Sequence, residues 1–112
     1  MSTYTPDRWV VLKIESKQHG VIHKVLGSWY GGFAKGDEWR MNSGIARVTQ
    51  DGLVFEFHGS SGSIYECHPD CYGMSSYTSR VLEQFQEEAQ KQDGVSITVL
   101  PEATKFMEIH YE

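Results

Sequence analysis

"WRMNSGIARVT" (residues 39–49) is the stretch on which the fold turns. Apolar and β-branched residues run through it, but Asn42-Ser43-Gly44 interrupts its centre. Small and polar residues in mid-strand favour a bulge or a bend over a straight ladder. The stretch is read as one strand, the third of the chain, bent or bulged at 42–44. Upstream, "RWVVLKIE" (8–15) and "VIHKVLGSW" (21–29) are strands joined by the turn "SKQHG" (16–20), which makes a hairpin. The glycine-rich loop "GGFAKGDE" (31–38) follows. Downstream, "QDG" (50–52) is a hairpin turn. It leads into "LVFEFH" (53–58), where Leu53, Phe55 and Phe57 alternate with Val54, Glu56 and His58. "GSSG" (59–62) then turns into a fifth strand, "SIYEC" (63–67).

The periodicity changes after residue 72. Val81, Leu82, Phe85 and Ala89 recur at the helical period, opposite Glu83, Gln84, Glu87, Glu88 and Lys91. The pattern predicts an amphipathic helix from Ser75 or Ser76, with a Glu87–Lys91 pair at i,i+4 and a stop at Asp93-Gly94. "VSITVL" (95–100) is a last strand, ended by Pro101, and the charged, aromatic tail 102–112 either frays or docks. The fold class expected is α+β: a mostly antiparallel sheet of about six strands, with one amphipathic helix packed on one face.

The 112 residues suit a single domain. No apolar run approaches the ~20 residues of a membrane helix, and "MSTYTPDRW" lacks a signal-peptide pattern. The chain is expected in the cytoplasm, its two cysteines reduced. The net charge of −5 argues against a generic nucleic-acid binder. Residues 1–50 hold seven Lys/Arg against four Asp/Glu, whereas 51–112 hold three against eleven. That asymmetry fits either a homo-oligomer, a dimer or higher, or a solvated acidic helix and tail. At 12% of the chain, aromatic residues are numerous enough to leave rings for a surface or pocket.

Catalytic motifs are missing. "CHPDC" (67–71) offers Cys67, His68, Asp70 and Cys71, but a structural zinc site uses about four ligands, usually in two separated pairs. A Pro-Asp turn leaving a strand end, with one cysteine buried, is the reading preferred over a metal site. A Cys-His nucleophile lacks a recognisable orienting group. There is no Walker pattern and no dinucleotide fingerprint. No catalytic residue, metal or cofactor is expected, and the chain is read as a non-enzyme.

Two stretches suggest binding instead. In "SWYGGFAKGDEWR" (28–40), Trp29, Tyr30, Phe33 and Trp39 flank glycines, with Lys35 and Arg40 close by and Asn42 just beyond. Such rings can stack a nucleobase while the cations pair a phosphate. They can equally be core residues at strand ends. In "YGMSSYTSR" (72–80), one of Ser75, Ser76 and Thr78 suffices to cap a helix. Tyr77 and Arg80 are left over by capping. A helix start carries free N–H groups and the positive end of a dipole, so it attracts anions and disfavours an arginine. A ligand phosphate would give Arg80 a partner, and so would Glu83. The candidate ligand residues are Trp29, Tyr30, Trp39, Arg40, Asn42, Ser75, Ser76, Tyr77, Thr78 and Arg80.

"KVLGSWYGGF…GDEWRMNSGI", "FHGSSGSIYECH" and "YGMSSYTSRVL" resemble segments of small proteins encoded by phages and prophages. The order of elements is similar to that of the anti-Thoeris sponge proteins. That resemblance implies a non-enzymatic oligomer in the host cytoplasm that sequesters a cyclic ADP-ribose-type signal and counteracts bacterial defence. The single clear helix departs from the longer helical part of the sponges, and none of their binding residues is carried over. The alternative is a phage accessory protein that inhibits a host or defence protein by direct contact.

Overall fold

The computed structural model describes residues 2–31, 37–92 and 94–111. Eight strands form two four-stranded sheets, with one helix: β1 (Thr3–Tyr4), β2 (Arg8–Ser16), β3 (Gly20–Trp29), β4 (Glu38–Met41), β5 (Ile45–Asp51), β6 (Val54–Gly59), β7 (Ile64–Cys67), α1 (Ser76–Gln90) and β8 (Val95–Val99). One sheet runs β4-β3-β2-β8 and the other β1-β7-β6-β5. The α+β class holds. The single sheet of about six strands does not.

The correction lies in 39–49. The interruption at 42–44 is neither a bend nor a bulge within one strand: it is where the chain leaves one sheet for the other, which splits the segment into β4 and β5. Such sheet-switching corners build packed sheets. Asn42 holds the first side of the corner. Its backbone N–H donates to Val25 O (3.1 Å), and its side-chain Oδ1 accepts from Val25 N–H (2.9 Å). The amide oxygen thus stands in for a ladder carbonyl. Gly44, at φ 140°, adopts a backbone that other residues rarely do. The second side is held by Ser60 N–H donating to Gly44 O (2.9 Å) and Ser61 N–H donating to Ser43 Oγ (3.0 Å).

β2 is the central strand of three layers. Trp9 and Val11 face the other sheet, packed with Val25, Ile45, Phe57, Tyr65, Cys67 and Phe106. Val10 and Leu12 face α1, packed with Leu26 and Leu82. Strict alternation puts successive residues of "RWVVL" on opposite faces, both buried. α1 closes the outer side with Thr78, Leu82 and Ala89 buried. Its Lys91 pairs with Glu88 at i,i+3, 3.3 Å apart, in place of the i,i+4 pair with Glu87.

The tail docks. Phe106 is 3% exposed and rings Trp9, Phe55, Phe57 and Tyr72 lie 5.4–5.9 Å from it, centroid to centroid. Tyr111 donates to Phe106 O (2.7 Å) and sets its ring edge-on to that of the buried His23. The aromatic residues are therefore mostly spent inside, and Tyr30, Trp39 and Tyr77 are the rings left exposed among the described residues. No sequence pattern marks the parallel strand β1; Tyr4 packs its ring against Tyr65 and Trp29.

Candidate functional site

The starts of β2 and α1 lie at one end of the molecule. Arg8, Ser28 and Trp39 form a row across three neighbouring strands, because Arg8 pairs with Ser28 and Ser28 with Trp39. The row stands two residues along from Val10, Leu26 and Met41, so it shares their face, the one that α1 covers. Trp39 meets Phe85 of α1 edge-on, 5.3 Å between centroids. Tyr77, Val81 and Phe85 are spaced by four, so Tyr77 continues that line of the helix toward its start.

Arg8 links the two stretches. Its Nε donates to Tyr30 Oη (3.3 Å), and its Nη1 lies 3.3 Å from where a side chain on Gly73 would begin. Gly73, at φ 139°, gives the guanidinium its room just before the helix. Tyr30 is held through its N–H, which donates to Asp7 Oδ2 (2.9 Å), and its ring is 55% exposed. Nothing in the sequence marks Arg8 as a site residue. Only the hairpin register, carried over a turn of three residues, brings it to Tyr30.

The hydroxyls of 75–78 divide in two. Ser75 is the N-cap, with Oγ accepting from Thr78 N–H (3.2 Å), and the Thr78 hydroxyl lies 3.1 Å from it, in a residue only 1% exposed. Those two are consumed by the fold. Ser76, Tyr77 and Arg80 face solvent, and the first turn contains no acidic residue. Three ion pairs form among the described residues, Lys13–Glu15, Lys91–Glu88 and Lys105–Glu108, and none includes Arg80 or Glu83.

Three other candidates are not gathered here. Asn42 is 5% exposed and belongs to the corner between sheets. Arg40 projects from the opposite face of β4 and stacks its guanidinium over the Tyr4 ring, 4.6 Å from the centroid. Trp29 packs against the inter-sheet core and donates its indole N–H to Thr5 O (3.0 Å). Phe33 and Lys35 lie outside the described residues.

The chemistry elsewhere is structural. Pro69–Cys71 is a 3-10 turn, and His68 O accepts the Trp9 indole N–H (2.7 Å). Burial pushes the Cys67 thiol well above its usual range. Among the described residues no group of three or more His, Cys, Asp or Glu is arranged to hold a metal, and no helix is long and apolar enough to cross a membrane.

Five surface concavities of about 240–440 Å³ are lined by none of the ten candidates. Three of the five border the turn between β2 and β3, at the far end of the molecule. The described residues at this end present rings and cations: Tyr30 bonded to Arg8, Trp39 against Phe85, and Tyr77 and Arg80 exposed on α1.

In comparisons with known proteins, the chain matches no family model, no curated protein and no solved structure.

Proposed function

We propose that this chain is a non-enzymatic binding protein that captures a phosphate-bearing, nucleotide-type ligand at the end formed by the starts of β2 and α1. The observations that carry the proposal are exposed Tyr30 held by Arg8, exposed Trp39 against α1, and solvent-facing Arg80 near the start of that helix. Arg80 has no carboxylate partner among the described residues, and it sits in a helix whose first turn is free of acids. A phosphate at that turn would accept bonds from helix N–H groups and from a guanidinium together. Tyr30 and Trp39 offer faces on which a base can stack. The resemblance narrows the ligand to a cyclic ADP-ribose-type immune signal and the setting to a phage protein in its host's cytoplasm. Self-association fits the split between a basic first half and an acidic second half.

The test is direct. The purified protein is heated, and the released small molecules are identified by mass spectrometry. Cyclic ADP-ribose isomers and cyclic dinucleotides are then added back in a melting assay. A nucleotide in the released fraction that raises the melting temperature supports the proposal. No nucleotide released and no shift with any of the panel sinks it.

A second reading is favoured by the exposed rings of the same surface. Exposed Tyr30, Trp39 and Tyr77 beside arginines also suit the aromatic- and arginine-rich centre of a protein contact. On that reading the chain inhibits a host or defence protein by direct contact, and the ligand panel gives no response.

A further inference from the structure

Four strands stand at sheet edges: β1, β5, β4 and β8. An edge strand exposes unpaired N–H and C=O groups, and natural sheets blunt such edges with charges, bulges or shortness. Three of the four edges are blunted. β1 is two residues long. β4 carries Glu38 and Arg40. β5 carries Arg47 and Asp51, and its register slips between Ile45 and Arg47. β8, "VSITV", has five residues, no charge, no proline and an uninterrupted register on β2.

We propose that β8 is a self-association edge, on which a second copy of this chain adds its own β8 antiparallel, joining two four-stranded sheets into one of eight strands. The occupant follows from the hydrogen-bonding pattern. Leu100 N–H donates inward to Val11 O (2.9 Å), so alternation turns Ser96 and Thr98 toward β2 and leaves Val95, Ile97 and Val99 pointing their backbone groups outward. The Ile97 carbonyl does point outward: the Gln86 side chain of α1 donates to it (3.0 Å). A two-fold axis at Ile97 pairs Ile97 with Ile97 of the second copy, and Val95 with Val99. Every outward donor then faces an outward acceptor: the Gln86 amide gives way to a backbone N–H, and the Val95 N–H exchanges Gln92 O (3.4 Å) for the Val99 carbonyl of the second copy.

Charge favours the same occupant. The groove of about 240 Å³ beside this edge is lined by Gln86, Ala89, Gln90, Val95, Ser96 and Ile97, none of them charged. On a chain of net charge −5, it is a neutral strip along which two copies can meet. The proposal stands independently of any ligand at the Arg80 end.

The same axis sets Ser96 opposite Thr98 of the second copy, and both side chains are exposed. The double variant Ser96→Lys/Thr98→Lys therefore places lysines opposite lysines in the dimer. In the monomer these positions neighbour Glu15 and Lys13 of β2, which offset one another. Light scattering at low salt is expected to give twice 12.8 kDa for the wild type and 12.8 kDa for the lysine variant, with a native circular dichroism spectrum in both. The variant Ser96→Glu/Thr98→Glu should also be monomeric. Mixing the lysine and glutamate variants should restore the doubled mass, a rescue that misfolding would not produce. A monomeric wild type overturns the proposal. So does a dimer that survives the lysines, or a mixture that stays monomeric.

Discussion

Replacing Phe106 by alanine tests whether the tail is part of the core. Phe106 is 3% exposed and touches four aromatic rings, one from β2, two from β6 and one from the segment before α1. Losing a buried phenyl ring forfeits roughly 2 kcal/mol of transfer energy. A residual cavity on the order of 100 Å³ adds about 2.4 kcal/mol if the rings around it do not collapse. The expected loss is about 3–5 kcal/mol, a large part of the 5–15 kcal/mol typical of a domain. With an unfolding entropy of about 0.24 kcal/mol/K for 112 residues, the melting temperature should fall by roughly 13–21 °C. Urea unfolding is the assay, with the slope checked for constancy. Met107→Ala is the control, since Met107 is 47% exposed and should change stability by less than about 0.5 kcal/mol. A loss below about 1 kcal/mol for Phe106→Ala would refute a docked tail.

Other perturbations address the corner and the buried titrating groups. Asn42→Ala leaves the buried Val25 N–H without its acceptor but also removes the Asn42 Nδ2, which has no partner. The net cost should be about 1 kcal/mol, with ligand response intact; a lost response at unchanged stability would return Asn42 to the site. Burial, and Lys13 nearby, lower the pKa of His23 from 6.5, so the unfolded chain binds the proton more readily than the folded one. Stability should be full above pH 6.5 and decline as pH falls below it, and His23→Gln should make that decline shallower, with His58, lowered in the same direction by burial and Arg47, carrying the rest. An unchanged profile in the variant would show that His23 does not carry the effect. Iodoacetamide should alkylate Cys71 in the native protein and spare Cys67, which is fully buried and whose thiol is hard to ionise; equal labelling of both would contradict that burial.

Much of the architecture was legible in local pattern. The alternation of "LVFEFH" and "SIYEC", the helical period of Val81 to Ala89 and the glycine at 52 each act within a few residues, and each lies close to where it was expected. What was not legible depends on partners far along the chain. Bent strand and sheet-switching corner present the same three residues. They are told apart by Val25, seventeen positions from Asn42, and by Ser60. β1 is two residues long and exists through its pairing with β7. The tail docks because Trp9, Phe55 and Phe57 leave a gap that fits one ring, which no periodicity announces. Within the candidate site, the cap at Ser75 follows from residue type alone. The separation of Arg40 from Trp39 follows from strand alternation, once β4 is placed at an edge. Arg8 needed the full hairpin register.

The role of Arg80 is measured most directly by comparing Arg80→Glu with wild type in melting temperature, with and without the nucleotide panel. A cation near a helix start is disfavoured by roughly 0.3–1 kcal/mol, so the free variant should melt at the wild-type temperature or slightly above it. Wild type at ~100 times the dissociation constant of a binding nucleotide should gain about 2.7 kcal/mol, and the variant should gain nothing. A nucleotide that stabilises Arg80→Glu as much as wild type would contradict the assignment of phosphate binding to the start of α1.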